Sequence, residues 1–300
     1  MEQTKAKSYG TALYTIITVF FFWGFIAASN GIFIPFCKAH FNLTQFQSQL
    51  IDYTFYGGYF IGSLILYFAS QISRIDIVTR LGYKNGIVLG LLVSAAGALL
   101  IIPAVNADSF PFILFAYFVI PLGFSLQQTA ANPFVVALGS PETGAHRLNL
   151  AGGINNFGTL LGPVIISIVL FGSASKAISG ADVKITAVSN LFYIVAGLFV
   201  ALALFFKVSK LPVITNTDEI ESSKKTYLPL VIILIAFFMV NPVLSTYTHI
   251  EQAYLVYAAL AIILITLIAS LRSAVKTRLG CYAVPAAYLW HDSHIYLCRG

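Results

Sequence analysis

The sequence predicts an all-α integral membrane protein with a six-helix bundle in its first two thirds and two further transmembrane helices after it. Hydrophobic residues make up 58% of the 300 residues and charged residues only 9%, which leaves too little polar surface for a water-soluble globule. Apolar runs of about 20 residues recur, the length that a helix needs to cross about 30 Å of hydrocarbon. The strict alternation of a transmembrane barrel is absent, so helices are expected.

Eight apolar runs have the length of a span. They are residues 13–34, 49–69, 86–102, 110–137, 148–171, 187–206, 227–245 and 253–271. A polar segment at 207–226 separates the sixth run from the seventh and is the predicted cytoplasmic linker. The predicted organisation is therefore a six-span bundle at 1–206, this linker, two additional helices at 227–271 and an atypical cytoplasmic tail at 272–300.

The distribution of lysine and arginine predicts the orientation, because short translocated loops are poor in them. With the N-terminus in the cytoplasm, fourteen of the 17 basic residues fall on the inner side. The first apolar run has full span length and lacks a cleavage signal, so we expect a multi-pass protein of the inner (plasma) membrane. The same asymmetry explains the net charge of +6 without a nucleic-acid partner.

Catalytic and metal chemistry are not indicated. The three cysteines, Cys37, Cys281 and Cys298, have no paired spacing that would suggest a disulfide framework or a zinc site. The tail segment "WHDSH" at 290–294 lacks the elbow and oxyanion signals of a hydrolase. We expect neither an enzyme nor a cofactor.

Amide side chains inside the spans are the main functional signal. The stretch "GFSLQQTAANPFVVALG" at 123–139 lies within an uncharged run, and further amides occur in the first and fifth spans. The candidate substrate-binding residues are Asn30, Gln127, Gln128, Asn132, Asn155 and Asn156. An amide without a partner costs several kcal/mol in hydrocarbon, so these groups face other helices or a wet cavity. Interhelical hydrogen bonding is the alternative to ligand binding for each of them.

Several amides from three helices suit a ligand with many hydroxyl groups. Gln128 and Asn132 are four residues apart and share a helix face. Neutral amides donate and accept hydrogen bonds without bringing charge into a low dielectric, which favours a sugar. Aromatic residues in "YTFYGGYF" at 53–60 could stack on the sugar ring, although a position facing the lipid is the alternative.

Five ordered motifs resemble a known family. They are "FFFWGFIAASNGIFIPF", "QSQLIDYTFYGGYFIGSL", "GYKNGIVLGLL", "QQTAANPFVVALG" and "RLNLAGGINNFGTLLGP", all within residues 11–210. They resemble the fucose, galactose and glucose proton symporters of the major facilitator superfamily. The resemblance implies two six-helix bundles around a central hexose cavity, opened alternately to each side of the bilayer. Only the first bundle is recognisable here, so the implied partners are a hexose, the bilayer and a second bundle.

The sequence departs from the fucose branch of this family at its proton-carrying positions. Gly31 and Gln128 stand where that branch has carboxylates, and Gly152 stands where it has a glutamine, whereas Asn155 matches. The resemblance therefore implies sugar transport and leaves open whether the coupling ion is a proton, sodium or absent.

Three charged residues are secondary candidates. Asp52 lies about one turn into the second span, where an ionisable group is either a coupling residue or a hydrated acid at the outer interface. The loop "SRIDIVTRLGYKNG" resembles the inner-gate signature of the superfamily, with Asp76 and Arg80 one helical turn apart. That pair is either a gate latch or a solvated ion pair.

Two other interpretations remain open from the sequence. Residues 281–300 lack span length and clean periodicity, which a truncated or frameshifted reading after about residue 280 would explain. The chain would then be a non-transporting product, or a membrane sugar sensor that uses one bundle. Export of amphipathic drugs is a weaker transporter alternative, because the motifs favour sugars.

Overall fold

The structure, a computed structural model, describes residues 10–28, 30–171 and 185–212, with residues 232, 257–258, 260–266 and 268–269 farther along. Eight α-helices follow one another in the first three ranges. They are α1 (Gly10–Ala28), α2 (Asn30–His40), α3 (Gln45–Ser73), α4 (Ile77–Leu81), α5 (Tyr83–Asn106), α6 (Phe110–Ala137), α7 (Gly144–Phe171) and α8 (Ile185–Val208). A single 3-10 turn, Pro141–Thr143, precedes α7. The described residues contain no strand, which confirms the predicted all-α class.

The helices coincide with the first six predicted spans. Among the described residues, five stretches are long and apolar enough to cross a membrane: Gly10–His40, Tyr83–Asn106, Phe110–Ala137, Pro141–Ile168 and Ile185–Val208. The predicted span 110–137 agrees with α6 at both ends. Spans seven and eight, the linker beyond residue 212 and the tail at 272–300 lie outside the described residues, apart from the few positions given above.

The second predicted span is a helix of unusual polarity. α3 has 29 residues, more than enough to cross the bilayer, but it is not among the five apolar stretches. Gln45, Gln47, Gln49 and Asp52 lie in its first third and lower its hydropathy. Polar groups in a membrane helix face protein or a water-filled cavity, so α3 is the helix least suited to a lipid surface on all sides.

Three close helix pairs build the bundle: α5 with α6, α5 with α8, and α1 with α7, and α3 also packs on α6. Glycine allows the closest approaches. A Cβ atom on Gly90 would lie 2.6 Å from the carbonyl oxygen of Gly123, and one on Gly162 would lie 2.7 Å from that of Phe25. Real Cβ atoms do not approach so closely, so the backbones of α5 and α6, and of α1 and α7, touch because these residues are glycine.

Polar contacts show which helix ends lie together. His40 Nε2 lies 2.8 Å from Asp108 Oδ1, which joins the end of α2 to the turn between α5 and α6. Lys84 Nζ donates to the Ser209 carbonyl oxygen at 2.8 Å, which joins the start of α5 to the end of α8. α2 and α5 therefore end on the same side of the bundle, and α8 runs antiparallel to α5.

The chain divides into two compact units, Met1–Ile220 and Glu221–Gly300. The first contains all eight helices above and an apolar core in which Phe36, Phe134, Phe199 and Phe206 are almost fully buried. The division falls inside the predicted linker at 207–226.

Candidate functional site

The two adjacent glutamines of α6 occupy different environments. Gln127 is fully buried: its Oε1 accepts from Trp23 Nε1 at 2.9 Å, and its Nε2 donates to Ser94 Oγ at 3.1 Å. Ser94 Oγ in turn donates to the Ile120 carbonyl oxygen at 2.9 Å. An indole N–H can only donate, which fixes the orientation of the amide. Gln127 therefore ties α1, α5 and α6 together.

This geometry changes the interpretation of Gln127. Both ends of its amide are used inside the bundle, and no part of the side chain reaches the surface. The interhelical alternative explains its position, and the structure gives no support to direct contact with a substrate. Trp23 and Ser94, its partners, were not identified from the sequence, because their spacing from Gln127 carries no local pattern.

Gln128 and Asn132 lie on a different side of α6. Successive residues of a helix are about 100° apart, so a buried Gln127 turns Gln128 away from the α1 and α5 contacts. Gln128 and Asn132 are each half-buried and make no hydrogen bond within the described part of the chain. Their amides therefore retain hydrogen-bonding capacity for another molecule.

The two asparagines of α7 also differ. Asn155 is half-buried and its Nδ2 donates to the Phe20 carbonyl oxygen at 3.0 Å, which ties α7 to α1. Asn156 is exposed and makes no hydrogen bond in the described ranges. A Cβ atom added at Gly152 or Gly153 would meet nothing within 4 Å, so space lies open along this part of α7.

The helices that carry these amides touch one another. α6 contacts α7, α1 contacts both, and α2 contacts α7. Asn30 is the first residue of α2. No hydrogen bond joins one candidate amide to another in the part that the structure describes, so Gln128, Asn132 and Asn156 form a set of open amides on neighbouring helices.

Asp52 occupies an intermediate position. It is half-buried on α3 and interacts electrostatically with Tyr117 of α6, a fully buried residue. It is thus neither a freely hydrated surface acid nor a group enclosed in the core. Its role in coupling stays a prediction.

The loop between α3 and α5, which carries α4, brings Asp76 into a helix cap rather than into an ion pair with Arg80. Asp76 caps α4: its Oδ1 accepts from the backbone N–H of Val78 at 3.0 Å and of Thr79 at 3.3 Å, and its Oδ2 accepts from the Thr79 hydroxyl. Arg80 is exposed and makes no ion pair with Asp76. The N-terminal amides of this short helix occupy the carboxylate, so the structure gives no support to the solvated-pair interpretation. The gate interpretation stays a prediction.

Arg147 is the residue that sequence reasoning undervalued. The sequence indicates only that it is one of the fourteen basic residues on the predicted inner side, but in the structure only 7% of its surface is exposed. Its guanidinium donates to acceptors at the end of α6 and in the following turn. A basic residue in the first turn of a helix, shortly after a connection with glycines at 139 and 144, is the signal that could have identified it.

The fold and these amides define a polytopic helical membrane protein that carries polar side chains without hydrogen-bond partners on neighbouring helices of its described part. The sequence model of the Major Facilitator Superfamily matches residues 15–284. The chain belongs to the Major Facilitator Superfamily. This is a family of transporters rather than enzymes, which agrees with the prediction that the chain is not an enzyme.

Similar proteins are sugar transporters by name. The glucose/galactose transporter of Brucella abortus is 39% identical over 224 residues, 75% of this chain and 52% of the relative. The L-fucose-proton symporter of Escherichia coli is 36% identical over 160 residues, 53% of this chain and 35% of the relative. The crystal structure of the transporter FucP in the outward conformation has a TM-score of 0.57 at 27% identity, covering 78% of this chain and 61% of FucP. The chain spans about half the length of the curated relatives that it matches.

Proposed function

We propose that the chain forms the first bundle of a secondary transporter for a neutral hexose of the glucose, galactose and fucose class. The observation that carries the proposal is the set of open amides at Gln128, Asn132 and Asn156, on helices that touch one another. Each can donate to and accept from a hydroxyl group, and none introduces a charge. The names of the relatives independently point to the same substrate class.

The proposed mechanism is alternating access. One bundle provides one wall of the cavity, and a second six-helix bundle provides the other wall and rocks against it. The bound sugar would replace the water that otherwise satisfies the open amides. Asn155 would position α7 through its bond to Phe20 and present its remaining oxygen to the sugar.

The proposal includes a location and an orientation. An inner (plasma) membrane location with a cytoplasmic N-terminus follows from the distribution of basic residues. In that orientation the His40–Asp108 pair lies on the outer side, and Lys84 and Arg147 lie on the inner side. Coupling to a proton or a sodium ion belongs to the proposal only through Asp52, since Gly31 and Gln128 cannot titrate.

Sugar binding by the purified chain in lipid nanodiscs tests the proposal. We expect radiolabelled galactose or glucose to bind, and Gln128→Ala and Asn156→Ala each to weaken binding about tenfold, because each leaves a sugar hydroxyl unpaired at a cost of about 1 to 3 kcal/mol. Asn190→Ala is the matched control, because Asn190 is an exposed asparagine on α8, outside the proposed site. Equal binding by all three variants would contradict the proposed site.

The main rival is a membrane protein that binds sugar without moving it, either a truncated product or a sensor. The relatives named above are transporters or symporters, which favours transport. Binding in nanodiscs together with no uptake, even when a second bundle is supplied, would favour the rival.

A further inference from the structure

The buried guanidinium of Arg147 lies at the junction of the two helices that carry the open amides. Its Nε donates to the Val135 carbonyl oxygen at 3.0 Å, and its Nη2 donates to the carbonyl oxygens of Val136 and of Ser140, the latter at 3.1 Å. Its Nη1 donates to Thr143 Oγ1 at 2.6 Å. The side chain belongs to the first turn of α7, and two of its acceptors belong to the last turn of α6.

The acceptors around this charge are all neutral. The nearest titratable groups in the sequence, Glu142 and His146, are both exposed, and the one ion pair within the described ranges is that of His40 with Asp108. The charge is therefore balanced by carbonyl dipoles, which at a helix C-terminus carry partial negative charge. A planar guanidinium holds several such carbonyls in a fixed arrangement with its five N–H donors, whereas the lysine ammonium has three donors and no fork.

The turn is built around this side chain. Gly139 has a φ of 140°, and a Cβ atom there would lie 2.6 Å from Arg147 Nη1. Any side chain at this position would displace the guanidinium as well as strain the backbone.

Few other contacts hold α6 against α7. α7 packs mainly on α1 and α6 packs mainly on α5 and α3, whereas the surface shared by α6 and α7 is small. Asn155 is eight residues beyond Arg147, about 12 Å along the helix at about 1.5 Å per residue. A change at this junction would therefore move the amides of α7 relative to those of α6.

We propose that Arg147 is a positioning residue that joins the inner ends of α6 and α7 and so sets the spacing between the sugar-binding amides of the two helices. The sugar-binding role of the amides rests on the proposed function, whereas the junction of α6 and α7 rests on the hydrogen bonds alone. Arg147 itself does not contact the sugar.

Hydrogen exchange measured by mass spectrometry on the full chain in nanodiscs tests the junction without any sugar. In Arg147→Met we expect backbone amides of residues 148–158 to exchange at least about tenfold faster, because several hydrogen bonds to a charged donor are lost. Arg147→Lys keeps the charge but not the planar fork, so its exchange rate at these amides should increase less. If Arg147→Met does not fold, Arg147→Lys takes its place in the test. Lys84→Met is the control, because Lys84 donates to one carbonyl oxygen at the end of α8, that of Ser209, and joins helices without candidate amides.

Two results would overturn the inference: unchanged exchange at 148–158, or equal acceleration in α5 and α8, which would indicate a general loss of stability. Sugar binding gives the second readout. Arg147→Lys should weaken sugar binding about tenfold in the parent chain. The same substitution should weaken binding much less in a chain that already carries Asn155→Ala, because Arg147 acts by positioning α7. If the parent chain binds no sugar, the proposed function fails, and the exchange data still decide whether Arg147 joins the two helices.

Discussion

At the scale of single residues, neighbouring amides in one apolar helix have separate tasks. Gln127 is enclosed by Trp23 and Ser94, whereas Gln128 keeps its amide open. The sequence places both in the same span and gives each the same polarity. Only the partners on other helices distinguish a residue that holds the bundle together from one available to a ligand.

The glutamine pair gives a direct test of this division. Gln127→Ala should lower the free energy of unfolding by about 1 to 3 kcal/mol, because the Trp23 N–H loses its buried acceptor. Gln128→Ala should change it by no more than about 0.5 kcal/mol, yet weaken sugar binding. Unfolding in mixed detergents followed by tryptophan fluorescence measures the first effect. Equal destabilisation by both substitutions would contradict the separation of roles.

Asp52 is the acid that could supply coupling in the described bundle. In vesicles containing the chain with a second bundle, Asp52→Asn should reduce sugar accumulation driven by an imposed pH gradient, and it should spare counterflow exchange. Exchange needs the sugar site but no net proton movement. Asp108→Asn is the control, since Asp108 is an exposed acid in a turn. Undiminished accumulation in Asp52→Asn would place the coupling group elsewhere.

At the scale of elements, glycines at helix contacts allow particular helices to pack closely. Gly162 faces the Phe25 carbonyl oxygen, whereas Gly197 on α8 has nothing within 4 Å of an added Cβ. Both are helical glycines in apolar spans. Their sequence surroundings do not distinguish a glycine at a helix contact from one on an open face.

Alanine substitutions test the contact that Gly162 makes between α1 and α7. Gly162→Ala should destabilise the chain by about 1 to 3 kcal/mol, because it forces α1 and α7 apart. Gly197→Ala should be neutral or stabilise it by up to about 1 kcal/mol, because alanine is the better helix former. Thermal unfolding of both purified variants provides the comparison. An unchanged unfolding temperature in Gly162→Ala would show that the contact between α1 and α7 tolerates a methyl group.

The orientation of the helices in the membrane can be tested by labelling cysteines placed in the turns at the two ends of α6. A single cysteine at Asp108, in the turn between α5 and α6, should react with a membrane-impermeant maleimide in intact cells. A single cysteine at Glu142, at the opposite end of α6, should react only after permeabilisation. Both would be introduced after the three native cysteines are replaced. The reverse pattern would place the N-terminus outside.

At the scale of the whole molecule, the proposed function assigns one bundle to one half of an alternating-access transporter. The described helices have the fold of the superfamily, and the comparisons match about half the length of the glucose/galactose transporters. Under the proposed function, binding and translocation are separable properties. The bundle that carries the amides would bind a sugar weakly, but net movement would require a second bundle that closes over it.

Whole-cell uptake should show this separation. We expect the 300-residue chain alone to give no galactose uptake above background. Co-expression with the second six-helix bundle of the Brucella abortus relative should restore uptake, and the Gln128→Ala variant of the chain should abolish that gain. Uptake by the chain alone, at the level of the pair, would contradict the requirement for a second bundle.

The sequence alone determined the membrane class, the positions of the helices in the first six predicted spans and the presence of amides within them. Hydropathy and span length are local properties, so α6 could be placed at 110–137 without knowledge of any neighbour. The tertiary structure decided that Gln127 turns inward, that Asp76 caps a helix and that Arg147 is buried. These outcomes depend on helix rotation and on contacts such as Trp23 with Gln127, 104 residues apart, which no local pattern encodes.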